Sequence, residues 1–275
     1  MSEKPKHFEY VRQLVKDRAH LELGEQSSHL VTAGLAHIRE VRGFETDDQV
    51  MRSIKQDLKS TLTMHVVESM TVNETSFFRD SHVWQGIRDH VIPRLIEQRK
   101  DTRRIGIWSA AAASGQEAFS LAILLLEHFP ELEDWTVSIV ASDISREMIQ
   151  RIRLATYSES ELARGMPTSL IPKYFSEVEG GYQAIDRLRN MVRPQRINLA
   201  TSSLILPKFD LVLARNVLIY FNIANKRIFL SQVRACMQPW TTLILGSSET
   251  TTNIDSLFTP ISHGSFRCFE LCGNT

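Results

Sequence analysis

Residues 104–129, RIGIWSAAAASGQEAFSLAILLLEHF, decide the fold because a short apolar strand passes through a turn of small residues into a long apolar helix. A strand that is apolar on both faces is typical of a parallel sheet covered by helices. Three later runs, 136–142, 209–214 and 242–247, repeat the strand pattern, and helical stretches separate them. This alternation predicts an α/β fold with a parallel sheet wrapped by helices.

Three regions depart from the alternation. Apolar positions in the first eighty or so residues recur three and four apart, which predicts helices and no strand. The segment 170–198 has strand-like runs around a Gly180–Gly181 turn signal, which predicts a small antiparallel excursion inserted into the α/β unit. Residues 265–271 alternate enough to serve as a last strand at an antiparallel edge.

These patterns predict three parts of the chain. They are a helical N-terminal domain at 1–72, a linker at 73–100, and an α/β domain at 101–275 with the β-subdomain at about 170–198.

Composition narrows the class of protein. The 275 residues include 32 Lys and Arg and 32 Asp and Glu, so the formal net charge is zero and gives no field that would recruit nucleic acid or an anionic membrane. Cys236, Cys268 and Cys272 lack the paired spacing of a zinc site, so we expect no metal and reduced thiols. The N-terminus has no apolar signal core, and the run 121–126 is too short to span a bilayer. We expect a cytoplasmic monomer without membrane insertion.

Ligands of open α/β sheets bind beyond the carboxyl ends of the strands, so the residues after each strand are the candidates. Small residues at 110–115 let backbone amides approach a ligand, but a single glycine there does not match a dinucleotide or P-loop fingerprint. Glu117 would repel phosphate, or it is a helix-terminal charge. Asp143 can accept from both hydroxyls of a ribose, or it caps the next helix. A ribose ligand without phosphate, S-adenosylmethionine, fits this set better than NAD or ATP.

Two further motifs place polar side chains near the same end of the sheet. VNETSFFRD at 72–80 combines an amide, a hydroxyl, two aromatic rings and an arginine, although a helix cap followed by core-facing Phe77 and Phe78 remains an alternative. ARNVLIYFN at 214–222 follows a fully apolar strand. Its Arg215–Asn216 pair is poorly explained as core because burying an unpaired charge is costly.

Taken in order, NETSFFRD, WSAAAASGQEAFS, ASDIS, the Ile-Asn-Leu at 197–199 and ARNVLIYFN resemble the chemotaxis receptor methyltransferase family, CheR, over essentially the whole chain. The resemblance implies a Rossmann-like S-adenosylmethionine methyltransferase sheet with an inserted small antiparallel β-subdomain, preceded by an all-α N-terminal domain. It also implies a protein-glutamate O-methyltransferase. Such an enzyme moves a methyl group from S-adenosylmethionine to glutamates of cytoplasmic chemoreceptor helices, giving glutamate methyl esters and S-adenosylhomocysteine.

The same resemblance assigns residues to the site. The cofactor contacts it implies are Asn73, Thr75, Arg79, Glu117, Asp143, Asn198, Leu199, Arg215 and Asn216. The catalytic candidates are Arg79 and Tyr220, which we expect to orient the acceptor carboxylate or the methionyl end of the cofactor. A glutamate side chain is already ionised at cytoplasmic pH, so the reaction needs no general base.

The sequence departs from the family where the receptor should dock. The second N-terminal helix, expected to be basic, offers His37, Arg39 and Arg42 among uncharged and acidic residues. Arg52, Lys55 and Lys59 on the next helix form either a substitute basic stripe or a solvated face.

Some family members capture a C-terminal receptor pentapeptide on the β-subdomain, but the loop SEVEGG at 176–181 is short, so we predict no dependence on that tether. Two alternatives stay open: a methyltransferase for another acceptor, such as a small molecule or RNA, and a cofactor-binding signalling adaptor without turnover. The neutral charge argues against RNA.

Overall fold

The computed structural model describes residues 6–201 and 205–273. Its helices are α1 (Phe8–Ala19), α2 (Ser28–Arg42), α3 (Asp47–Gln56), α4 (Thr61–Glu68), α5 (Ser81–Gly86), α6 (Ile92–Arg99), α7 (Gln116–His128), α8 (Arg146–Leu154), α9 (Glu159–Ala163), α10 (Ile171–Tyr174), α11 (Asp186–Met191) and α12 (Ile223–Ala235). Its strands are β1 (Arg104–Ala110), β2 (Thr136–Asp143), β3 (Thr156–Tyr157), β4 (Phe175–Val178), β5 (Gly181–Ala184), β6 (Val192–Arg196), β7 (Phe209–Ala214), β8 (Met237–Leu245), β9 (Phe258–His263) and β10 (Phe266–Leu271).

Seven strands form one sheet in the order β6-β2-β1-β7-β8-β10-β9. The first five of these strands run parallel, and β10 is antiparallel to both β8 and β9. The strand order reverses direction between β1 and β7, which makes this the switch point of a doubly wound sheet. The predicted parallel α/β sheet is confirmed, and its switch point lies where the small-residue turn ends β1.

Two apolar clusters cover the sheet, one on each of its faces. The β1 and β7 strands are almost wholly buried, and α7 buries nearly every residue from Gln116 to Leu125. A helix that is apolar all round packs in the interior of a protein. Gly115 begins α7 with φ of +96°, a left-handed conformation that favours glycine.

The N-terminal helices have a separate core. Side chains from α1 to α4, including Phe8, Val15, Leu35, Ile54 and Val66, are almost completely buried against one another. The predicted helical N-terminal region is therefore confirmed, whereas the domain boundary at residue 72 stays a prediction. No helix among the described ranges is both long and apolar enough to cross a bilayer.

The β-rich insertion differs in extent from the prediction. β4 and β5 form the expected antiparallel hairpin around Gly180, and β3 pairs with β5. β6, however, pairs parallel with β2 in the large sheet, so including 192–198 in the excursion was wrong. Before this hairpin, α8 ends at Leu154 because Ala155 is left-handed, with φ of +49°.

The edge strand of the sheet is not the one that the sequence predicts. β10 is antiparallel as expected, but it lies between β8 and β9, and β9 forms the edge. β9 reads FTPISH and is largely exposed, so it lacks the apolar pattern of a buried strand. Proline is tolerated there because an edge strand leaves some N–H groups unpaired in any case.

The proposed basic stripe on α3 does not lie on one helix. Arg52 and Lys55 are exposed on α3, but α3 ends at Gln56, and Lys59 follows it in a turn. The side-chain oxygen of Thr46 caps the start of α3 and Gln49 bonds back to the Thr46 backbone, which fixes this helix locally.

Candidate active site

A cleft opens at the carboxyl ends of β1, β2, β6 and β7, with a volume of about 1300 Å³ including its mouth. Every residue that the sequence assigned to the site lines this cleft: Asn73, Thr75, Arg79, Glu117, Asp143, Asn198, Leu199, Arg215, Asn216 and Tyr220. The assigned positions span 148 places in the chain between Asn73 and Tyr220, so the fold brings distant motifs together.

The turn after β1 forms the floor of the cleft with a strained backbone. Ala111 and Ala113 have φ values of +54° and +48°, in a left-handed conformation that costs a non-glycine residue about 1 kcal/mol each. The Ala113 N–H donates to Asp143 Oδ2 at 3.0 Å, and the Ala112 N–H donates to the Ser142 carbonyl at 2.8 Å. Strained residues persist where their surroundings hold them, commonly at ligand sites.

Asp143 is buried at the end of β2. Its Oδ1 accepts the Ser145 N–H at 2.9 Å, while Ser145 itself caps α8 through the Met148 N–H. The suggestion that Asp143 caps α8 is therefore wrong. Burial raises the pKa of Asp143, and the backbone N–H bonds from Ser145 and Ala113 oppose that rise.

Arg215 joins the loop after β7 to the start of α7 and to the linker. Its guanidinium, with the side chain only 2% exposed, donates to Glu117 Oε2 at 3.2 Å and to Asp80 Oδ2 at 2.7 Å. It also donates to the Arg79 carbonyl at 2.9 Å. Glu117 Oε1 accepts the Ser109 hydroxyl at 2.7 Å. The buried charge of Arg215 is thus paired with two carboxylates inside the protein.

The motif at 73–79 forms an extended linker against α7. Phe77 is fully buried and packs edge-on against Tyr157, as the core-facing alternative predicted. The Phe78 N–H donates to the Ser120 hydroxyl at 2.9 Å. The next helix, α5, starts only at Ser81, so neither Asn73 nor Thr75 is a helix cap. Asn73, Thr75 and Arg79 instead line the cleft, where Asn73 Oδ1 accepts the Thr71 hydroxyl at 3.1 Å.

Tyr220 ends a short 3-10 turn, Leu218–Tyr220, at the mouth of the cleft. Burial raises the pKa of its phenol, and the positive charge of Arg79 opposes the rise. The phenol therefore stays protonated at neutral pH and is able to donate a hydrogen bond. Arg79 donates from Nη1 to the Glu74 carbonyl at 3.3 Å.

Asn198 and Leu199 follow β6 on the opposite wall. Leu199 is half-buried against the apolar cluster that includes Trp108. Asn198 donates from Nδ2 to the Arg18 carbonyl at 2.8 Å and accepts the Ala200 N–H at 2.9 Å. The side-chain amide of Asn198 thus connects α1 to the segment that follows β6.

One wall of the cleft is formed by residues that belong to no predicted motif. The segment after α1 lines it with Leu21, Glu22 and Leu23. The Glu22 N–H donates to the Tyr220 carbonyl at 2.8 Å, and Leu21 forms a bridge with Phe221. No local pattern marks this segment, because its partners lie about two hundred residues away in the chain.

The cleft has the chemistry that S-adenosylmethionine requires. Ile144, Leu199 and Val217 offer apolar surface to a base, whereas Asp143 and Glu117 offer carboxylates to hydroxyl or ammonium groups. The Nε of Arg215 is buried and has no hydrogen-bond partner within the described residues. Within 6–201 and 205–273, no three potential metal ligands cluster.

Comparison with known proteins agrees with this chemistry. The sequence profile of the CheR methyltransferase SAM-binding domain matches residues 73–266. Chemotaxis protein methyltransferase 1 of Pseudomonas aeruginosa is 32% identical over 252 residues, which are 90% of this chain and 91% of that protein. Chemotaxis protein methyltransferase Cher2 of Pseudomonas putida is 32% identical over 88% of this chain and 89% of its own. Chemotaxis protein methyltransferase 1 of Vibrio cholerae is 33% identical over 86% of both chains.

Proposed function

The chain belongs to the CheR methyltransferase family and is an S-adenosylmethionine-dependent methyltransferase, and we propose that its acceptors are glutamates on the cytoplasmic helices of methyl-accepting chemoreceptors. The products would be glutamate methyl esters and S-adenosylhomocysteine, as adaptation in chemotaxis requires. One observation carries the proposal: Arg79 and Tyr220, two hydrogen-bond donors from distant motifs, line the same cleft as the cofactor candidates. Two hydrogen-bond donors suit an acceptor that is already an anion, because such an acceptor needs no general base.

The reaction needs placement of the acceptor more than proton transfer. The bound cofactor supplies a methyl group on a sulfonium. A glutamate with an ordinary pKa of about 4.3 is ionised at neutral pH, so it is already a nucleophile. A tyrosine with the ordinary pKa of about 10 is a phenol at neutral pH, and burial raises the pKa of Tyr220 further. Tyr220 therefore donates a hydrogen bond to the carboxylate and does not compete as a base. An arginine has five N–H donors, and the single bond of Arg79 to the Glu74 carbonyl uses only part of that capacity.

We propose the following division of the cofactor site. Asp143 holds the ribose hydroxyls, Glu117 holds the amino acid end, and Leu199 with Asn198 flanks the adenine. Asn73, Thr75 and Asn216 complete the polar wall that they share in the cleft. Arg215 fixes the positions of Glu117 and of the Arg79 backbone, through its hydrogen bonds to the Glu117 carboxylate and to the Arg79 carbonyl.

The receptor docks, we propose, without a large basic face on α2. Arg39 pairs with Asp47 at 2.9 Å, and His37 lies 3.9 Å from Glu147, so both side chains already face carboxylates. Arg42 contacts the His65 ring at 3.0 Å. Charge reversal at Arg52, Lys55 and Lys59 tests the alternative surface: unchanged receptor affinity would rule it out.

Three further proposals concern partners and location. The chain acts in the cytoplasm, where the receptor helices lie, and it acts as a monomer, which light scattering would measure. It does not depend on a receptor pentapeptide, because a tight turn at Gly180 joins β4 and β5. Tight binding of such a pentapeptide in calorimetry would contradict this last proposal.

The function is tested with methyl-labelled S-adenosylmethionine and cytoplasmic receptor fragments. Label that base treatment releases as volatile methanol is a carboxyl methyl ester, and this is the result we expect. Stable label would point to a methyltransferase for another acceptor group. Cofactor binding without any transfer, shown by calorimetry on the same preparation, would favour the signalling adaptor.

A further inference from the structure

Glu249 is a buried carboxylate that no sequence motif named above includes and that is not among the residues lining the described cleft. The residue is 4% exposed. Its Oε2 accepts the Gly246 N–H at 2.7 Å and the Asn216 N–H at 2.8 Å, and its Oε1 accepts the Ile219 N–H at 3.1 Å. Burying a carboxylate is costly unless it is hydrogen-bonded, and charged acceptors form the stronger bonds. Both carboxylate oxygens of Glu249 therefore accept hydrogen bonds from backbone N–H groups.

These donors belong to two different loops. Gly246 follows β8, whereas Asn216 and Ile219 follow β7. Asn216 has φ of +60°, a left-handed conformation that most residues avoid. A Cβ on Gly246 would lie 2.7 Å from Glu249 Oε2 and 2.9 Å from the Asn216 nitrogen. A glycine at 246 is what allows the carboxylate and the two loops to approach so closely.

The loop after β7, which bonds to Glu249, also contributes side chains to the lining of the cleft. Arg215, Asn216 and Tyr220 line the cleft, and Ile219 lies in the 3-10 turn that ends at Tyr220. Two of the three bonds from Glu249 reach this loop, one at each side of the segment between Asn216 and Ile219. The loop is therefore bonded to a side chain that lies 33 residues after Asn216 and 30 residues after Ile219 in the chain.

We infer that Glu249 is a positioning residue for methyl transfer, whose carboxylate holds residues 215–220 in the conformation that presents Asn216 and Tyr220 to the cleft. The inference rests on the proposed function only for its turnover assay. Glutamine does not replace glutamate here, because its NH₂ group sets a donor against a backbone donor. Aspartate keeps both acceptor oxygens but is one methylene shorter.

The experiment compares five variants with the wild type. Glu249→Gln and Glu249→Asp change the acceptor group. Gly246→Ala adds a methyl group in the loop after β8, where it would lie too close to Glu249 Oε2 and disturb the same hydrogen bonds. Glu131→Gln alters an exposed glutamate away from the cleft, and it serves as the matched control. Gly106→Ala is the control for the glycine, because its Cβ would meet its nearest neighbours at an ordinary 3.7 Å.

Two properties are measured for each variant, well below its melting temperature. One is hydrogen exchange of a peptide covering 214–222, and the other is methyl transfer per folded molecule. We expect faster exchange in Glu249→Gln and Gly246→Ala, and turnover lower by about tenfold or more, since a displacement near 1 Å in an active site has effects of that size. Glu249→Asp should recover part of the turnover, and both controls should match the wild type.

The inference is overturned if the exchange of this peptide is unchanged, or if turnover per folded molecule stays within about twofold of the wild type. If Glu249→Gln does not fold, Gly246→Ala and Glu249→Asp decide the question by the same criteria. The exchange measurement needs no acceptor. A wild type that fails to methylate receptor fragments therefore refutes the proposed function, while the exchange data still decide whether Glu249 holds the loop.

Discussion

Removing the guanidinium of Arg215 should cost more stability than any surface charge. Its side chain is 2% exposed, and Arg215→Ala would leave Glu117, which is 13% exposed, without the positive charge that faces its Oε2. Glu117 would keep the Ser109 hydroxyl as a donor, and the Arg79 carbonyl would keep the Trp84 Nε1–H. Breaking a buried pair by removing one partner costs about 3–5 kcal/mol. Asp80 is 31% exposed, so water replaces part of the interaction that it loses with Arg215. The expected loss of stability is therefore at the lower end of this range, about 3 kcal/mol.

The assay is thermal unfolding followed by circular dichroism. A loss of that size should lower Tm by about 6–12 °C in a chain of this length. Arg187→Ala is the matched control, since its pair with Glu133 at 3.3 Å is largely exposed, and it should shift Tm by less than about 3 °C. Arg215→Lys keeps the charge but not the fork geometry, so it should fall between the two. If Arg215→Ala melts as the control does, the network does not support the cleft.

Three other perturbations test separate parts of the account. Burial raises the pKa of Asp143, and its ionised form is the one that accepts the ribose hydroxyls. On acidification, the affinity for S-adenosylmethionine measured by calorimetry should therefore begin to fall at a higher pH than it would with an aspartate of ordinary pKa. Asp143→Asn should abolish this pH dependence. Arg79→Ala and Tyr220→Phe should each lower methyl transfer about tenfold or more while the protein stays folded; normal transfer by both would remove their catalytic assignment. Asp210 is 1% exposed and accepts hydrogen bonds from Arg99, Trp240 and the Gly106 N–H. Asp210→Ala should therefore lower the free energy of unfolding in urea by about 3 kcal/mol without changing cofactor affinity, because it lies far from the carboxyl ends of the strands.

Local pattern predicted the centre of the sheet well. β2 and β7 start and end within one residue of the predicted bounds, because strands buried on both faces have continuous apolar sequences. The edge strand β9 was missed for the opposite reason, since its largely solvated residues have no apolar pattern. β6 was assigned to the wrong sheet because register and partner depend on contacts that no local window contains.

The site shows the same limit. Motif residues such as Asp143 and Arg215 were recognisable because polar groups directly after buried strands need a reason to be there. Leu21 and Glu22, which form a wall of the cleft, lie in an ordinary loop of the N-terminal region. Glu68 is another example, since it is 5% exposed and bonds to Arg196 and the Arg146 N–H across the chain. Such pairs are invisible until the fold brings their partners together.

The central claim is that this chain esterifies glutamate side chains of chemoreceptors, and locating the methyl group tests it most directly. Receptor cytoplasmic fragments are incubated with the enzyme and S-adenosylmethionine, digested at a pH that preserves esters, and sequenced by tandem mass spectrometry. We predict one added methylene mass on specific glutamates, and loss of that mass from a fragment whose modified glutamate is replaced by alanine. A methyl group found on any other side chain, or on none while the cofactor binds, would contradict the claim.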